Sequence, residues 1–590
     1  MKATDRHKLI DRINTLEGLT DDERSALLGL LRESKTYGLV WEDKPEDVEE
    51  RLRNEFPVLI EDKERALTDA GPDAPNHILI EGDNLESLVT LAYTHKGKID
   101  VIYIDPPYNT GKEFIYNDNY YEPKKDCVVG SDDPFRHSKW LSFMRKRLLI
   151  AHKLLKNTGC IIVSIDDNEQ AQLKMLLDDI FKHYNFSACF CVIRAEGGGL
   201  AKQVIKGHDY CLVYARDIDV FTPLARPKDI RGKIITRNGV DYWIQEDWLR
   251  KEFGKYGNCH YEELIEYKGE EYKAEIDLGL ENGDYVLIPK SNGMHIIGKL
   301  RRLDTDSSKF YSIIKHLNKD GVNEMRELGI KFDYPKPLSL IKELVGGATF
   351  FNRNSVILDF FAGSGTTLHA VMLLNAEDGG NRQCILCTNN ENGICENVTY
   401  ERNKRVIEGY TKPNCEQVAG LSGNNLRYYR TDFVSRNRST KNMRRLVKLS
   451  TDMLCIKENL YAEQKTFAGL PTYKNIYRYF EHGDKKMLVI YDERYVDEIV
   501  KMIGSVETYS KIKIYVFSPS EDPWEASFEP VGGKVELCAL PQAIYNTYKR
   551  ILPKHRQKPI EPTDEEDALA SADDDEIGGL FAAEPEGGEE

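Results

Sequence analysis

The apolar run Val101-Ile102-Tyr103-Ile104 passes without a break into Asp105-Pro106-Pro107-Tyr108-Asn109-Thr110-Gly111. A run with no polar alternation reads as a strand buried on both faces, the kind found in parallel sheets covered by helices. The two prolines then hold the backbone extended, so Asp105 leaves the carboxyl end of the strand in a fixed direction. In open α/β sheets that end is where ligands bind. The neighbouring sequence supplies the rest of such a sheet. Strand-like HILIEGD, KIDVIYID and GCIIVSIDD alternate with helix-like ESLVTLAYTH, WLSFMRKRLLIAHKLLK and EQAQLKMLLDDIFKHY. Between about Arg194 and Tyr334 the alternation gives way to short strands, glycines, aromatics and charges. It resumes with SVILDFFAGSGTT, TLHAVMLLNAE and RQCILCTNN. The simplest account is one parallel sheet built from two chain segments, with a module inserted between them.

The second segment carries a second strand-to-turn signal, Val356 to Thr367. Gly363 and Gly365 let a ligand approach the backbone, and the helix that follows offers free N–H groups. No lysine follows the turn, which excludes a phosphate-cradling P-loop, and the third glycine of a dinucleotide fingerprint is missing. A glycine turn that holds no pyrophosphate suits S-adenosylmethionine, a nucleoside with an amino-acid tail, whose ammonium group Asp359 can pair.

The residue types at 105–108 answer one chemical demand. The exocyclic amine of adenine is a poor nucleophile because its lone pair is delocalised into the ring. The Asp105 carboxylate and the carbonyl of Pro106 or Pro107 can each accept one N–H as charge develops. Tyr108 offers a flat face for an extruded base. No metal and no covalent enzyme intermediate is required.

IDPPYNTG followed much later by LDFFAGSGTT resembles the β-class amino-methyltransferases, in which the catalytic segment precedes the cofactor segment. In detail the chain resembles the Mod subunits of Type III restriction-modification systems. ILIEGDNLESL, HSKWLSFMRKRL, IIVSIDDNE, GHDYCLVYAR, YPKPLSLIKEL and ENVTYERNKRVI also match, so the resemblance covers roughly residues 36–410. It implies a Rossmann-like methyltransferase sheet in circularly permuted motif order, with Asp105, Pro106, Pro107 and Tyr108 as the catalytic segment. Phe361, Ala362, Gly363, Ser364, Gly365 and Thr366 would line S-adenosylmethionine, Asp359 would approach its methionine end, and Lys336 with Pro337 would begin the helix beside it. Asp83 either reaches the cofactor's adenine or caps a helix in a box with Glu86. Where family members place an acid on the ribose this chain has Thr388, Asn389 and Asn390, so Asn389 or a shifted Glu391 takes that place. Asp166 and Asp167 are expected only to cap the next helix.

The implied activity is methylation of adenine N6 in double-stranded DNA. N4-cytosine methylation, an inactive DNA-binding scaffold and RNA methylation stand as alternatives. Aspartate before the prolines favours adenine, because cytosine enzymes of this class often carry serine there. The implied partners are a second copy of the chain and a helicase-nuclease restriction subunit.

A net charge of −16 argues against a DNA partner until its distribution is considered. Residues 561–590 hold thirteen acidic residues and no basic one, leaving the first 560 at −3. No apolar run is long enough for a membrane span and the N-terminus lacks a secretory core, so a cytoplasmic protein is expected. The cysteine pairs Cys189/Cys191 and Cys384/Cys387 sit in strand-like runs without nearby histidines, so they read as reduced, packed thiols.

The expected organisation is a helical arm at 1–70, methyltransferase parts at 71–190 and 331–424, and a target-recognition insertion at 191–330. A further α/β domain follows at 425–555, and an acidic tail at 556–590. Within the insertion, Arg226 to Lys255 mixes eight basic and five acidic residues with Tyr242, Trp243, Trp248 and Phe253, as a groove touching phosphates and base edges requires.

Overall fold

The computed structural model describes residue 41 and residues 46–110, 136–196, 204–230, 232–252 and 257–551. The N-terminal arm up to residue 45, apart from Trp41, lies outside these residues, as do Gly111, Phe253, Lys255 and the acidic tail.

A ten-stranded sheet organises the chain. Its strands are β1 (Glu55–Glu61), β2 (Asn76–Glu81), β3 (Ile99–Ile104), β4 (Leu155–Ile165), β5 (Phe186–Ile193), β6 (His208–Ala215), β7 (Ile313–Lys315), β8 (Val356–Asp359), β9 (Gln383–Thr388) and β10 (Asn425–Ser435). They lie in the order β1-β10-β2-β9-β8-β3-β4-β6-β5-β7. The six strands from β10 to β4 run parallel, while β1 and β6 run against their neighbours.

Period-two alternation decides which side chain faces which helix layer. Leu79, Val101, Tyr103, Ile162, Ile357 and Leu386 form one core with the helices α6 (Leu338–Ala348) and α7 (Thr366–Asp378), which pack on each other. The alternate residues Ile78, Ile80, Ile102, Ile104, Ile161, Val163 and Leu358 are also buried, and so are the helices α2 (Asn84–Thr94) and α3 (Arg136–Leu154) that pair elsewhere. Each such aliphatic side chain contributes roughly 1.5–3 kcal/mol through burial, which is why both faces of these strands exclude polar residues.

The connections create a switch point. From β8 the chain passes through α7 to β9, on one side; from β3 it passes through α3 to β4, on the other. β3 and β8 are nonetheless adjacent and parallel, with Val101 opposite Ile357 and Ile102 opposite Leu358. A crevice opens at this edge beside Asp105, and Asp359 ends the neighbouring strand at the same edge with its side chain buried.

Several boundaries differ from those the sequence suggests. β6 and β7 fall within the expected insertion, yet both complete the main sheet. The separate module is narrower: a four-stranded antiparallel sheet of Ile234–Arg237, Val240–Gln245, Tyr285–Pro289 and His295–Arg302, with a helix at Glu270–Asn282. β10, expected in the C-terminal unit, inserts between β1 and β2 because Leu426 and Tyr428 are buried in the main core. A five-stranded sheet that begins at Glu463–Gln464 and ends at Val535–Leu540 has its own core around Leu488, Ile490, Ile514 and Val516. None of the described helices is long and apolar enough to cross a membrane.

Candidate active site

Asp105, Pro106, Pro107 and Tyr108 line one wall of a cleft of about 1120 Å3 at the carboxyl edge of the sheet, with Arg194, Asp209, Tyr334 and Lys336 among the facing residues. The tetrapeptide is fixed from several sides. The Trp140 indole on α3 donates to the Pro107 carbonyl at 2.7 Å. Asn109 takes the left-handed backbone (φ 53°), and its buried side chain donates to Glu169 Oε1 at 2.5 Å and to the Arg136 carbonyl at 3.2 Å. His137 Nδ1 meets the same Glu169 oxygen at 2.6 Å. One of the two lone pairs of the Pro107 carbonyl is thus taken within the protein.

The Asp105 carboxylate is used unequally. Oδ1 accepts the Tyr108 hydroxyl at 2.8 Å and lies 3.4 Å from Lys336 Nζ, which also donates to the Tyr108 oxygen. Among the described residues no partner is bonded to Oδ2. Burial pulls the Lys336 ammonium downward, but the facing Asp105 and Asp209 carboxylates outweigh it and hold the lysine above its ordinary value. Burial pushes the Tyr108 phenol well up, and Asp105 and Asp209 reinforce the effect.

On the β8 side the turn 360–366 is held from below. Asp359 is buried; its Oδ1 accepts the Phe361 amide at 3.0 Å and its Oδ2 the Thr367 hydroxyl at 2.6 Å. Burial raises its carboxyl to about 7 against those two bonds, with a contribution from the Asp105 charge across the crevice. Gly363 and Gly365 both have positive φ, 51° and 74°. A methyl at Gly365 would stand 2.4 Å from Asn403 Nδ2, whereas at Gly363 the nearest atoms are 3.8 Å away. Gly365 is thus closed by protein, whereas a methyl at Gly363 would meet Phe361 and Phe332 only at ordinary contact distance.

The clamp on this turn is the segment ENVTYERN. Thr399, in a π-helical turn (Cys395–Tyr400), donates to the Gly363 carbonyl at 2.6 Å, and Asn403 donates to the Gly365 carbonyl at 3.3 Å. Arg402, fully buried on α8 (Glu401–Glu408), donates to Thr366 Oγ1 at 2.6 Å and Ser364 Oγ at 3.2 Å. The Ser364 and Thr366 side chains are therefore buried and held by Arg402 from within the protein. Phe361 is half-buried, with its ring 5.9 Å from that of Phe143.

Other candidates take different places. Lys336 lies in the Asp105 cluster, while Pro337 caps α6 and has its neighbour Leu338 N bound by Glu324 at 3.0 Å. Asp83 caps α2 through Leu85 N at 2.7 Å, and its Oδ1 lies 3.7 Å from Arg147. Glu86 is buried 3.8 Å from Arg51; burial lifts its carboxyl to about 7, against the Asp83 backbone N–H that it accepts, as a partner in a capping box with Asp83 would. Asn389 follows β9 at the same sheet edge, while Asn390 is tied to Glu81 and to Glu396 N. Asp166 bonds Asn168 rather than a helix end.

Sequence reading missed Arg194, Asp209, Glu169 and Arg402 as site residues. Antiparallel β6 explains Asp209: with Tyr210 opposite Ile165, the start of β6 stands at the edge where β3 and β4 end. Its only signal was an aspartate before the apolar run YCLVYA.

The sequence profile of the family described as DNA methylase, of N6/N4 methyltransferases, matches residues 99–410. The Type II methyltransferase M.KpnI of Klebsiella pneumoniae is 33% identical over 376 residues, 58% of this chain and 87% of that protein. The Type III restriction-modification enzyme StyLTI Mod subunit of Salmonella typhimurium is 32% identical over 386 residues, and the chain spans a little over half (56%) of its length. The corresponding EcoPI Mod subunit of Escherichia phage P1 is 29% identical over 476 residues, 68% of this chain and 71% of that protein. The matched span begins with β3, ends just past α8, and so contains both the Asp105 tetrapeptide and the glycine turn with its clamp: the chain belongs to the DNA methylase family.

Proposed function

We propose that the protein transfers a methyl group from S-adenosylmethionine to N6 of an adenine flipped out of double-stranded DNA, as the modification subunit of a Type III restriction-modification system. The observation that carries this reading is the adjacency of β3 and β8, whose carboxyl ends bring Asp105 and the buried Asp359 to one edge of the sheet.

The cofactor fits this crevice on two counts. The turn at Gly363 is uncrowded, with no protein atom nearer than 3.8 Å to a methyl placed there, and a buried carboxyl raised to about 7 at Asp359 stands where a cation would ionise it. Asp359, Phe361 and the backbone of 362–366 would hold the amino-acid end, with Asp83 after β2 and Asn389 after β9 toward the nucleoside end. When bound, S-adenosylmethionine supplies an electrophilic methyl group. The chain's own residues act on the acceptor. Asp105 Oδ2 accepts one amine hydrogen and the carbonyl of Pro106 or Pro107 the other, drawing the nitrogen lone pair out of the ring π-system. As the new N–C bond forms, Asp105 receives the proton that the nitrogen must lose. Tyr108, its hydroxyl already bonded, gives a ring fixed in place for stacking the base.

Sequence recognition is assigned to the inserted module. There Trp248 and Tyr285 stack at 5.2 Å with Lys299 over the Trp248 ring, beside a strand bearing Arg301 and Arg302. Two relatives named as Type III Mod subunits support the system assignment, and with it the proposals of a homodimer, a helicase-nuclease partner and a cytoplasmic location. Modification-sensitive sequencing of DNA from cells expressing the protein tests the reading. N6-methyladenine in one sequence context is expected. N4-methylcytosine would replace the acceptor assignment, and unmodified DNA would favour a scaffold without turnover.

A further inference from the structure

Beside Asp105 lies a buried charge cluster that the methyl-transfer chemistry does not itself call for. Asp209, 5% exposed, holds Arg194 Nη1 at 2.8 Å through Oδ1 and Lys336 Nζ at 3.4 Å through Oδ2. Lys336 Nζ in turn donates to the Tyr108 hydroxyl, which donates to Asp105 Oδ1 at 2.8 Å. We propose that Lys336 and Asp209 are positioning residues for the acceptor: Asp209 anchors the Lys336 ammonium, and the ammonium locks Tyr108 and Asp105 Oδ1 so that Oδ2 alone is presented to the amine. The inference rests on the methyl-transfer reading and deepens it.

Three features carry it. The first is charge balance, with two carboxylates facing two cations in a partly desolvated corner, so that removing Lys336 would leave Asp105 and Asp209 repelling each other. The second is origin. Asp209 is the second residue of β6, Arg194 follows β5 and Lys336 precedes α6, and the antiparallel course of β6 brings the first of these to the edge where β5 ends. Three separate elements thus converge on a tetrapeptide whose own backbone is already stiffened by prolines. The third is selectivity of contact: among the described residues, Tyr108 and Lys336 both meet Asp105 at Oδ1, and no bond is made to Asp105 Oδ2. Lysine and aspartate here orient groups that touch the base; neither is required to touch it.

The test uses the full-length protein with duplex DNA and labelled S-adenosylmethionine under single-turnover conditions, with S-adenosylhomocysteine as the binding probe. Lys336→Met is expected to slow methyl transfer on the order of 100-fold, the cost of misplacing a reacting group by about 1 Å, while S-adenosylhomocysteine affinity stays as in the parent. Lys336→Arg should recover part of the rate. Asp209→Asn should slow transfer by itself, yet cause no further loss in the Lys336→Met background, because it acts through the lysine. Loss of S-adenosylhomocysteine affinity with unchanged rate at saturation would place Lys336 in the cofactor site and overturn the proposal. Additive losses would sever Asp209 from Lys336 and overturn it too. Should Lys336→Met not fold, the isosteric Asp209→Asn decides alone: a full rate contradicts the proposal, and a slowed rate with parental probe affinity supports it. Parent protein that transfers no methyl group to DNA would instead defeat the underlying reading, a result separable from any variant's behaviour.

Discussion

Inside the glycine turn, burial leaves the Asp359 carboxyl near half-ionised at neutral pH, although the Phe361 amide and the Thr367 hydroxyl both favour its charged form. Its folded value of about 7 lies above the ordinary 3.8, so a proton must leave before the carboxylate can pair with an ammonium group. Cofactor affinity is therefore expected to rise as pH climbs from about 5 toward about 7 and to level off above. Asp359→Asn should bind more weakly and lose that slope. Calorimetric titration with S-adenosylhomocysteine across the range checks both, and a flat parental profile would show that Asp359 does not meet the ammonium. Gly363 and Gly365 separate two roles of one turn. Gly363→Ala keeps the fold at a cost of about 1–2 kcal/mol for a left-handed alanine, and should lose mostly cofactor affinity. Gly365→Ala adds a clash with Asn403 and should lower stability further; thermal unfolding alongside binding distinguishes them. At this scale the motifs themselves were legible, because Asp105 to Tyr108 and Asp359 to Thr366 are contiguous and their residue types are demanding. The inward turn of Ser364 and Thr366 was not, since nothing in FAGSGTT shows that an arginine from another segment lies beneath.

Helix α8 shows how an element with no catalytic residue shapes the site. Its charged sequence ERNKRVIE suggests a solvated surface, yet Arg402 is wholly buried, and burial brings its guanidinium down to about 10. The Glu324 carboxylate 3.7 Å away and the Ser364 and Thr366 hydroxyls hold it. Replacing it leaves those groups without their cation, so Arg402→Met should cost about 3–5 kcal/mol in denaturant unfolding. It should also weaken cofactor binding by loosening the turn. A variant with parental stability would mean that the turn stands without its clamp. Strands and helices of the parallel core were readable from period and length, since apolar runs bounded by polar turns have few other solutions. β7 was not: three residues with Ile313 largely exposed carry no such pattern, and only pairing with β5 makes them a strand.

For the whole molecule, the sequence reading anticipated one parallel sheet from two segments with an insertion. It could not see that the insertion lends β6 and β7 to that sheet, or that β10 enters it between β1 and β2, because long-range pairing leaves no local signature. That borrowing matters for function. β6 carries Asp209 into the cleft and pairs with β4 in the sheet that holds Asp105. In the proposed reaction Asp105 acts on an amine presented at the sheet edge it shares with the glycine turn. Incubation with unmodified duplex DNA and S-adenosylmethionine labelled in its methyl group, followed by nucleoside analysis, tests this directly. Label in N6-methyladenine is expected for the parent. For Asp105→Ala, transfer should fall at least ~100-fold, as for loss of a general base, with S-adenosylhomocysteine affinity intact. Undiminished label in the Asp105→Ala product, or none in DNA from a parent protein that binds the cofactor, would contradict it.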